Sequence, residues 1–199
     1  NSKEHKEIPG TKGLIILDAF KATNIVWENE GTTLYDVGEG VLNLEFHTKM
    51  NTMGAEVIEG INKAISIAEK NYKGLVIGNE GDNFSAGANL GMLFMFAGNR
   101  EYDKINLSVK AFQNTIMRAR YSSVPVVVAT SGLTLGGGTE LAMHADHVRA
   151  HTETYMGLVE FGVGIIPSGG GTKEMTLRTS DMYKKGDPEL NVLMENFMT

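Results

Sequence analysis

Two glutamates twenty residues apart, Glu140 and Glu160, each sit in a glycine-rich frame. Glu140 closes the run Leu135-Gly136-Gly137-Gly138-Thr139-Glu140. Glu160 opens a run that passes through Gly162, Gly164, Pro167 and Ser168 to Gly169-Gly170-Gly171. Two carboxylates held close together cannot both ionise freely, so one tends to keep its proton near neutral pH. Such a pair suits acid and base work on a single water. Glu160 follows the apolar stretch Tyr155-Met156-Gly157-Leu158-Val159, so it stands either exposed at a strand end or buried with a raised pKa.

The glycines add a second kind of chemistry. A strand, three glycines and a helix put backbone N–H groups at a helix N-terminus, where the dipole and the unpaired donors favour negative charge. The missing side chains let a ligand come close to the backbone. Phe84-Ser85-Ala86-Gly87-Ala88-Asn89-Leu90 is another segment whose small residues can turn N–H groups toward a ligand. Taken singly, each segment also reads as an ordinary turn or loop. Two donors from two loops are what a thioester oxygen needs as it becomes an enolate.

Other chemistries find no foothold. The chain has no cysteine, which removes disulfides, thiolate–zinc sites and thiol nucleophiles. There is no Gly-x-Gly-x-x-Gly run, no Walker-type phosphate loop and no Gly-x-Ser-x-Gly. His144, His147 and His151 lack the spacing of a His-Glu-x-x-His helix and read as surface histidines, so no metal is expected. Met92, Phe94, Met95 and Phe96 either line an apolar acyl pocket or pack as a helix face.

At 199 residues the chain can bury one sizeable core. Its net charge of −6 and scattered Lys and Arg argue against a nucleic-acid groove. No apolar run approaches the roughly 20 residues of a membrane helix, and the polar residues 1–10 do not resemble a signal peptide. The default expectation is a cytoplasmic protein without a membrane partner.

These residues need elements to hold them. Residues 1–31 read as a linker or lead-in from an upstream module, and 32–199 as the core. Residues 33–37 and 41–46 predict a hairpin around Gly38-Glu39-Gly40. Asn51 or Thr52 is the expected cap of a helix carrying Val57, Ile58, Ile61, Ile65 and Ala68 at helical spacing. Residues 73–78 predict a strand and 79–90 a loop, and Ile105, Val109, Phe112 and Ile116 mark a second helix. Residues 124–129 predict the strongest strand, with helices over 139–145 and 173–178 and short strands over 146–150 and 153–156. Asp187-Pro188-Glu189 predicts the start of an amphipathic helix that runs to the end without a stop signal, which reads as C-terminal truncation. Strand–helix alternation gives an α/β core, with no internal sequence repeat.

Together the segments at 84–90, 134–140 and 157–172 resemble the enoyl-CoA hydratase/isomerase superfamily, the crotonase fold, over about residues 32–178. The segments at 72–78, 134–140 and 155–160 further resemble the hydratase portion of bacterial bifunctional 3-hydroxyacyl-CoA dehydrogenases of fatty-acid β-oxidation. The resemblance implies repeated ββα units, assembled as a trimer or a dimer of trimers, and a further set of C-terminal helices. It implies that the Ala88 and Gly137 N–H groups hold the thioester oxygen and that Glu140 and Glu160 hold and activate water. It places the coenzyme A adenine near Ala86 and Gly87. Coenzyme A enters as part of the acyl-CoA substrate, with no metal and no covalently bound cofactor.

Three positions depart from the family pattern: Asn89 where Asp is common, Gly91 where a cation is common, and Ser168 where glycine is frequent. Phosphate binding then falls to another cation such as Lys49, while the Ser168 N–H is still able to meet a water. The implied activity is hydration of a 2-enoyl-CoA to a 3-hydroxyacyl-CoA within a larger dehydrogenase. A Δ3–Δ2-enoyl-CoA isomerase and a non-catalytic acyl-CoA-binding or assembly fragment stand as alternatives.

Overall fold

The computed structural model describes residues 15–20 and 23–185. The lead-in residues 1–12 and the helix expected over 187–197 lie outside the described residues.

The first hairpins build one side of a sheet. β1 (Ile25–Glu28) pairs antiparallel with β2 (Thr32–Gly38), and β2 with β3 (Val41–Phe46) across the expected turn. The sheet therefore begins before Thr32. A 3-10 turn at Leu17–Ala19 precedes it, with Leu17 buried and its N–H donating to the Glu80 carboxylate.

Helix α1 (Ala55–Asn71) buries Val57, Ile61, Ile65 and Ala68 of the expected stripe and adds Ala64, while Ile58 is half-buried. Its cap is Gly54, with no side-chain hydrogen bond, rather than Asn51 or Thr52. Those two residues serve a 3-10 turn at Lys49–Asn51: Asn51 donates to Asn83 O at 2.9 Å, and the Thr52 hydroxyl donates to Lys49 O.

Beyond α1 the chain repeats one theme. β4 (Gly74–Gly78) is followed by β5 (Asn83–Ser85) and the helices α2 (Leu90–Gly98) and α3 (Tyr102–Arg120). β6 (Val126–Thr130) is followed by β7 (Leu133–Leu135) and α4 (Gly137–His144). β8 (His147–Ala150) is followed by β9 (Tyr155–Gly157), a 3-10 turn at Glu160–Val163 and α5 (Gly171–Lys185). The first strand of each unit joins a six-stranded sheet, ordered β1-β2-β3-β4-β6-β8. The second joins a three-stranded parallel sheet, ordered β5-β7-β9. This is a spiral of ββα units whose repeat lies in the topology and not in the sequence.

The core lies between α1, α3 and the larger sheet, from Leu34, Leu42 and Leu44 through Leu75 and Ile77 to Val126 and Val128, with Phe84 from β5 of the smaller sheet and Leu141 from α4. The expected loop at 79–90 contains β5, which is too short for its alternation to show. α2 was hidden for the opposite reason. Leu90 to Gly98 is apolar on all sides and so has no helical period, and Asn89 caps it by accepting from Met92 N–H at 3.2 Å. No α2 residue is buried, and Phe94 and Met95 are 55% and 56% exposed. Met92 and Phe96 are half-buried, and α2 packs on α3 with Lys104 Nζ 5.4 Å from the Phe96 ring centre, so the apolar set divides between a packed face and an exposed one.

Candidate active site

Glu140 stands in the first turn of α4. That helix starts at Gly137, two residues earlier than expected, because Gly136 ends β7 with a positive φ and leaves Gly137 as the first helical residue. The turn is stapled from both sides. The Thr139 hydroxyl donates to Thr134 O at 2.5 Å and accepts from Gly157 N–H at 3.1 Å, and Gly136 N–H donates to Gly157 O at 2.9 Å. The result is a carboxylate only 3% exposed. It is met by the start of α5, where Gly170 and Gly171 N–H donate to Oε1 at 2.9 and 2.8 Å. Burial pushes the Glu140 carboxyl above the usual range, and the N–H groups of Gly171, Gly170 and Gly169 pull against it.

Glu160 opens the 3-10 turn that follows β9 and is 7% exposed. It points back at the turn that launches α4: a Cβ on Gly136 would stand 3.2 Å from Glu160 Oε1. Oε2 is buried with no hydrogen-bond partner among the described residues. Burial first, then the charge of Glu140, push the Glu160 carboxyl up to about 7, and only its own backbone N–H opposes them. Of the two settings open to Glu160 from sequence, the buried one is found.

The two glycine-rich loops meet at their backbones. Gly87 has φ +87°, and a Cβ there would lie 2.8 Å from Leu135 O and 3.2 Å from Gly137 N. Only glycine permits both this conformation and this approach. The loop is tied down by Met53 N–H to Gly87 O at 2.8 Å, Ala86 N–H to Met50 O at 3.1 Å and Gly87 N–H to Ser85 Oγ at 3.1 Å. Among the described residues no acceptor takes the N–H of Ala88 or of Gly137.

Lys49 is exposed on the 3-10 turn that binds β5 and Ala86. Ser168 is exposed too, and its carbonyl accepts from Gln113 Nε2 of α3 at 2.6 Å. Two site features escaped the sequence reading. Phe112, placed only by its helical spacing, is half-buried, and its ring packs over Gly137 and against Gly169. Gly170 and Gly171 were visible as a glycine run, but nothing local tied them to Glu140. His144 is a correction: it is fully buried and not a surface residue, whereas His147 and His151 are exposed. No three His, Asp or Glu groups converge as metal ligands among the described residues.

A mixed six-stranded sheet and a parallel three-stranded sheet spiralling as ββα units, with two buried carboxylates against a glycine-lined turn, define the crotonase class of α/β proteins. The chain belongs to the enoyl-CoA hydratase/isomerase family, whose pattern matches residues 36–180. A Bacillus subtilis protein named "Probable 3-hydroxyacyl-CoA dehydrogenase" is 43% identical over 98% of this chain and 25% of its own length. A Shewanella loihica protein named fatty acid oxidation complex subunit alpha is 34% identical over 70% of this chain and 20% of its own length. The crystal structure of an enoyl-CoA hydratase from Polaromonas sp. JS666 superimposes with a TM-score of 0.67 at 29% identity, covering 72% of this chain and 57% of that one. The chain thus spans about a quarter of the length of the B. subtilis relative.

Proposed function

We propose that this chain is the enoyl-CoA hydratase module of a larger β-oxidation protein that also carries 3-hydroxyacyl-CoA dehydrogenase chemistry. The observation that carries the proposal is the unequal pair of buried glutamates. Glu140 accepts two backbone N–H bonds, which favour its anion. Glu160 Oε2 has no partner among the described residues and the carboxyl is pushed up to about 7, so it holds a proton near neutrality.

In this reading the thioester oxygen of a 2-enoyl-CoA sits between the N–H groups of Ala88 and Gly137, which stabilise it as an enolate. Water held by both carboxyl groups adds its oxygen to C3 and gives its proton to Glu140, while Glu160 gives its proton to C2. The product is the 3-hydroxyacyl thioester, and the proton on Glu140 must return to Glu160 before the next turnover. The loop at Ala86 and Gly87 would receive the adenine, Lys49 a phosphate, and the Ser168 N–H a water contact. The exposed apolar surface of α2 is the nearest candidate for an acyl-chain wall.

An isomerase needs one carboxylate to shuttle a proton, so two buried carboxylates at one site favour hydration. Assembly as a trimer or a dimer of trimers, and a cytoplasmic location, belong to the same proposal. The exposed Tyr155, Phe161, Ile166 and Leu177 support a covered face. No helix among the described residues is long and apolar enough to cross a membrane. The test is loss of the enoyl-thioester absorbance of crotonyl-CoA, run beside a 3-enoyl-CoA. Turnover of the first supports the hydratase, whereas turnover of the second alone would replace it with the isomerase.

A further inference from the structure

Behind Glu140 lies a charged cluster around two buried side chains, His144 and Glu174, that the proposed chemistry does not use. His144 is one turn further along α4, and its Nδ1 is 2.7 Å from the Glu140 carbonyl oxygen. A carbonyl can only accept, so Nδ1 carries the proton and, in the neutral ring, Nε2 is an acceptor. Facing Nε2 are Lys173 Nζ at 3.5 Å and Glu174 Oε1 at 3.6 Å. Burial holds the ring below its usual pKa, which agrees with the neutral form.

Glu174 is 2% exposed although it lies in the first turn of α5, where an acidic residue would gain its dipole benefit at the surface. A buried carboxylate is costly unless paired. Glu174 has Arg120 Nη1 of α3 at 2.5 Å, Lys173 Nζ at 3.4 Å and Arg178 Nε at 3.9 Å. Its backbone N–H donates to Gly170 O at 2.9 Å, and Gly170 N–H donates to Glu140 Oε1 at 2.9 Å. With Nε2 an acceptor, Lys173 Nζ bridges it to Glu174, and the contacts close a ring: the Glu140 carboxylate, Gly170, Glu174, Lys173, His144 and the Glu140 main chain.

We infer that Arg120, His144 and Glu174 are positioning residues for Glu140: they pin the first turn of α5 to α3 and α4 so that the Gly170 and Gly171 N–H groups stay on the carboxylate. This rests on the hydratase reading for its kinetic consequence but not for its geometry. None of the three needs to touch substrate. Their effect passes through two backbone hydrogen bonds that favour the Glu140 anion, the form a base must have. The charged and titratable groups of Glu140 and the cluster behind it are Glu160 from the 3-10 turn, His144 from α4, Arg120 from α3, and Lys173, Glu174 and Arg178 from α5.

The experiment compares Glu174→Ala, Glu174→Gln and His144→Leu in the full chain. In Glu174→Ala and His144→Leu, kcat for crotonyl-CoA should fall about ten- to a hundredfold, the scale of a misplaced catalytic group, with KM changed less than about twofold. Weakening the two N–H bonds raises the pKa of Glu140, so the acid limb of the kcat profile should move to higher pH. Glu174→Gln keeps the length and an acceptor for Arg120, and should recover most of the lost rate. Amide exchange of the peptide containing Gly170 and Gly171 should quicken in the first two variants and stay near wild type in the third. An unmoved acid limb, or unchanged exchange at Gly170 and Gly171, overturns the inference. If Glu174→Ala does not fold, His144→Leu against Glu174→Gln gives the same reading. If the unsubstituted protein hydrates nothing, the hydratase reading fails, and amide exchange alone still decides the positioning claim.

Discussion

At the scale of residues, the two glutamates are distinguished by what touches them, since their chemistry is the same. Glu140→Gln and Glu160→Gln should each lower crotonyl-CoA hydration at least about a hundredfold, measured by loss of enoyl absorbance. Near wild-type turnover in either variant would remove the two-carboxylate mechanism. The raised carboxyl of Glu160, about 7, also fixes two pH dependences. As the acid it must be protonated, so kcat should decline as pH rises through about 7. In the folded state it binds its proton more tightly than in the unfolded chain, whose carboxyl titrates near its ordinary value. Its contribution to stability is therefore present at low pH and is lost as pH rises through the folded pKa. Thermal melts between about pH 5 and 8 should show Tm falling, and Glu160→Gln should flatten that slope. A slope that persists in Glu160→Gln would assign it to another group.

At the scale of elements, the site depends on how closely three backbone segments approach. A Cβ on Gly87 would press on Leu135 O at 2.8 Å and is strained at φ +87°. Gly87→Ala should therefore part the Ala88 loop from Gly137 and cost about 1–3 kcal/mol of stability, read by denaturant unfolding. It should also lower kcat at least about tenfold as the paired donors separate. A Cβ on Gly169 would overlap Glu140 Oε2 and the Phe112 ring, so Gly169→Ala should abolish hydration even where the protein stays folded by circular dichroism. The periodic elements were legible in the sequence: the hairpin of β2 and β3 arrives with nearly the expected bounds, and α1 buries most of the apolar positions expected of it. α2 and β5 were not, since one is apolar all round and the other is three residues long. The cap of α1 was misplaced because Asn51 and Thr52 bind the turn that docks on β5 and so do not serve the helix.

At the scale of the whole molecule, the core lies beneath the site and links its layers. Phe84 is fully buried where β5 brings the smaller sheet against the larger, and its ring packs at 5.8 Å from that of Phe46. Phe84→Ala should cost about 3–5 kcal/mol in urea unfolding, because the cavity would open between layers that cannot both collapse into it. It should also depress activity through the Ala86–Ala88 loop that β5 feeds. A loss confined to stability, with kcat untouched in the folded protein, would separate the core from the site.

The sequence by itself determined the chemistry on offer: two carboxylates, two glycine-lined backbone turns, no thiol, and apolar periods that make an α/β core. Those are properties of residue type and local spacing, and they survive without knowledge of what packs on what. Only the tertiary structure decided that Glu160 is buried with an unpartnered oxygen, that Gly170 and Gly171 hold Glu140, and that His144 and Glu174 are interior. Each of those joins segments about thirty residues apart or depends on burial. Local spacing carries no record of such contacts, because a carboxylate's protonation is set by the solvent it loses and the donors it meets.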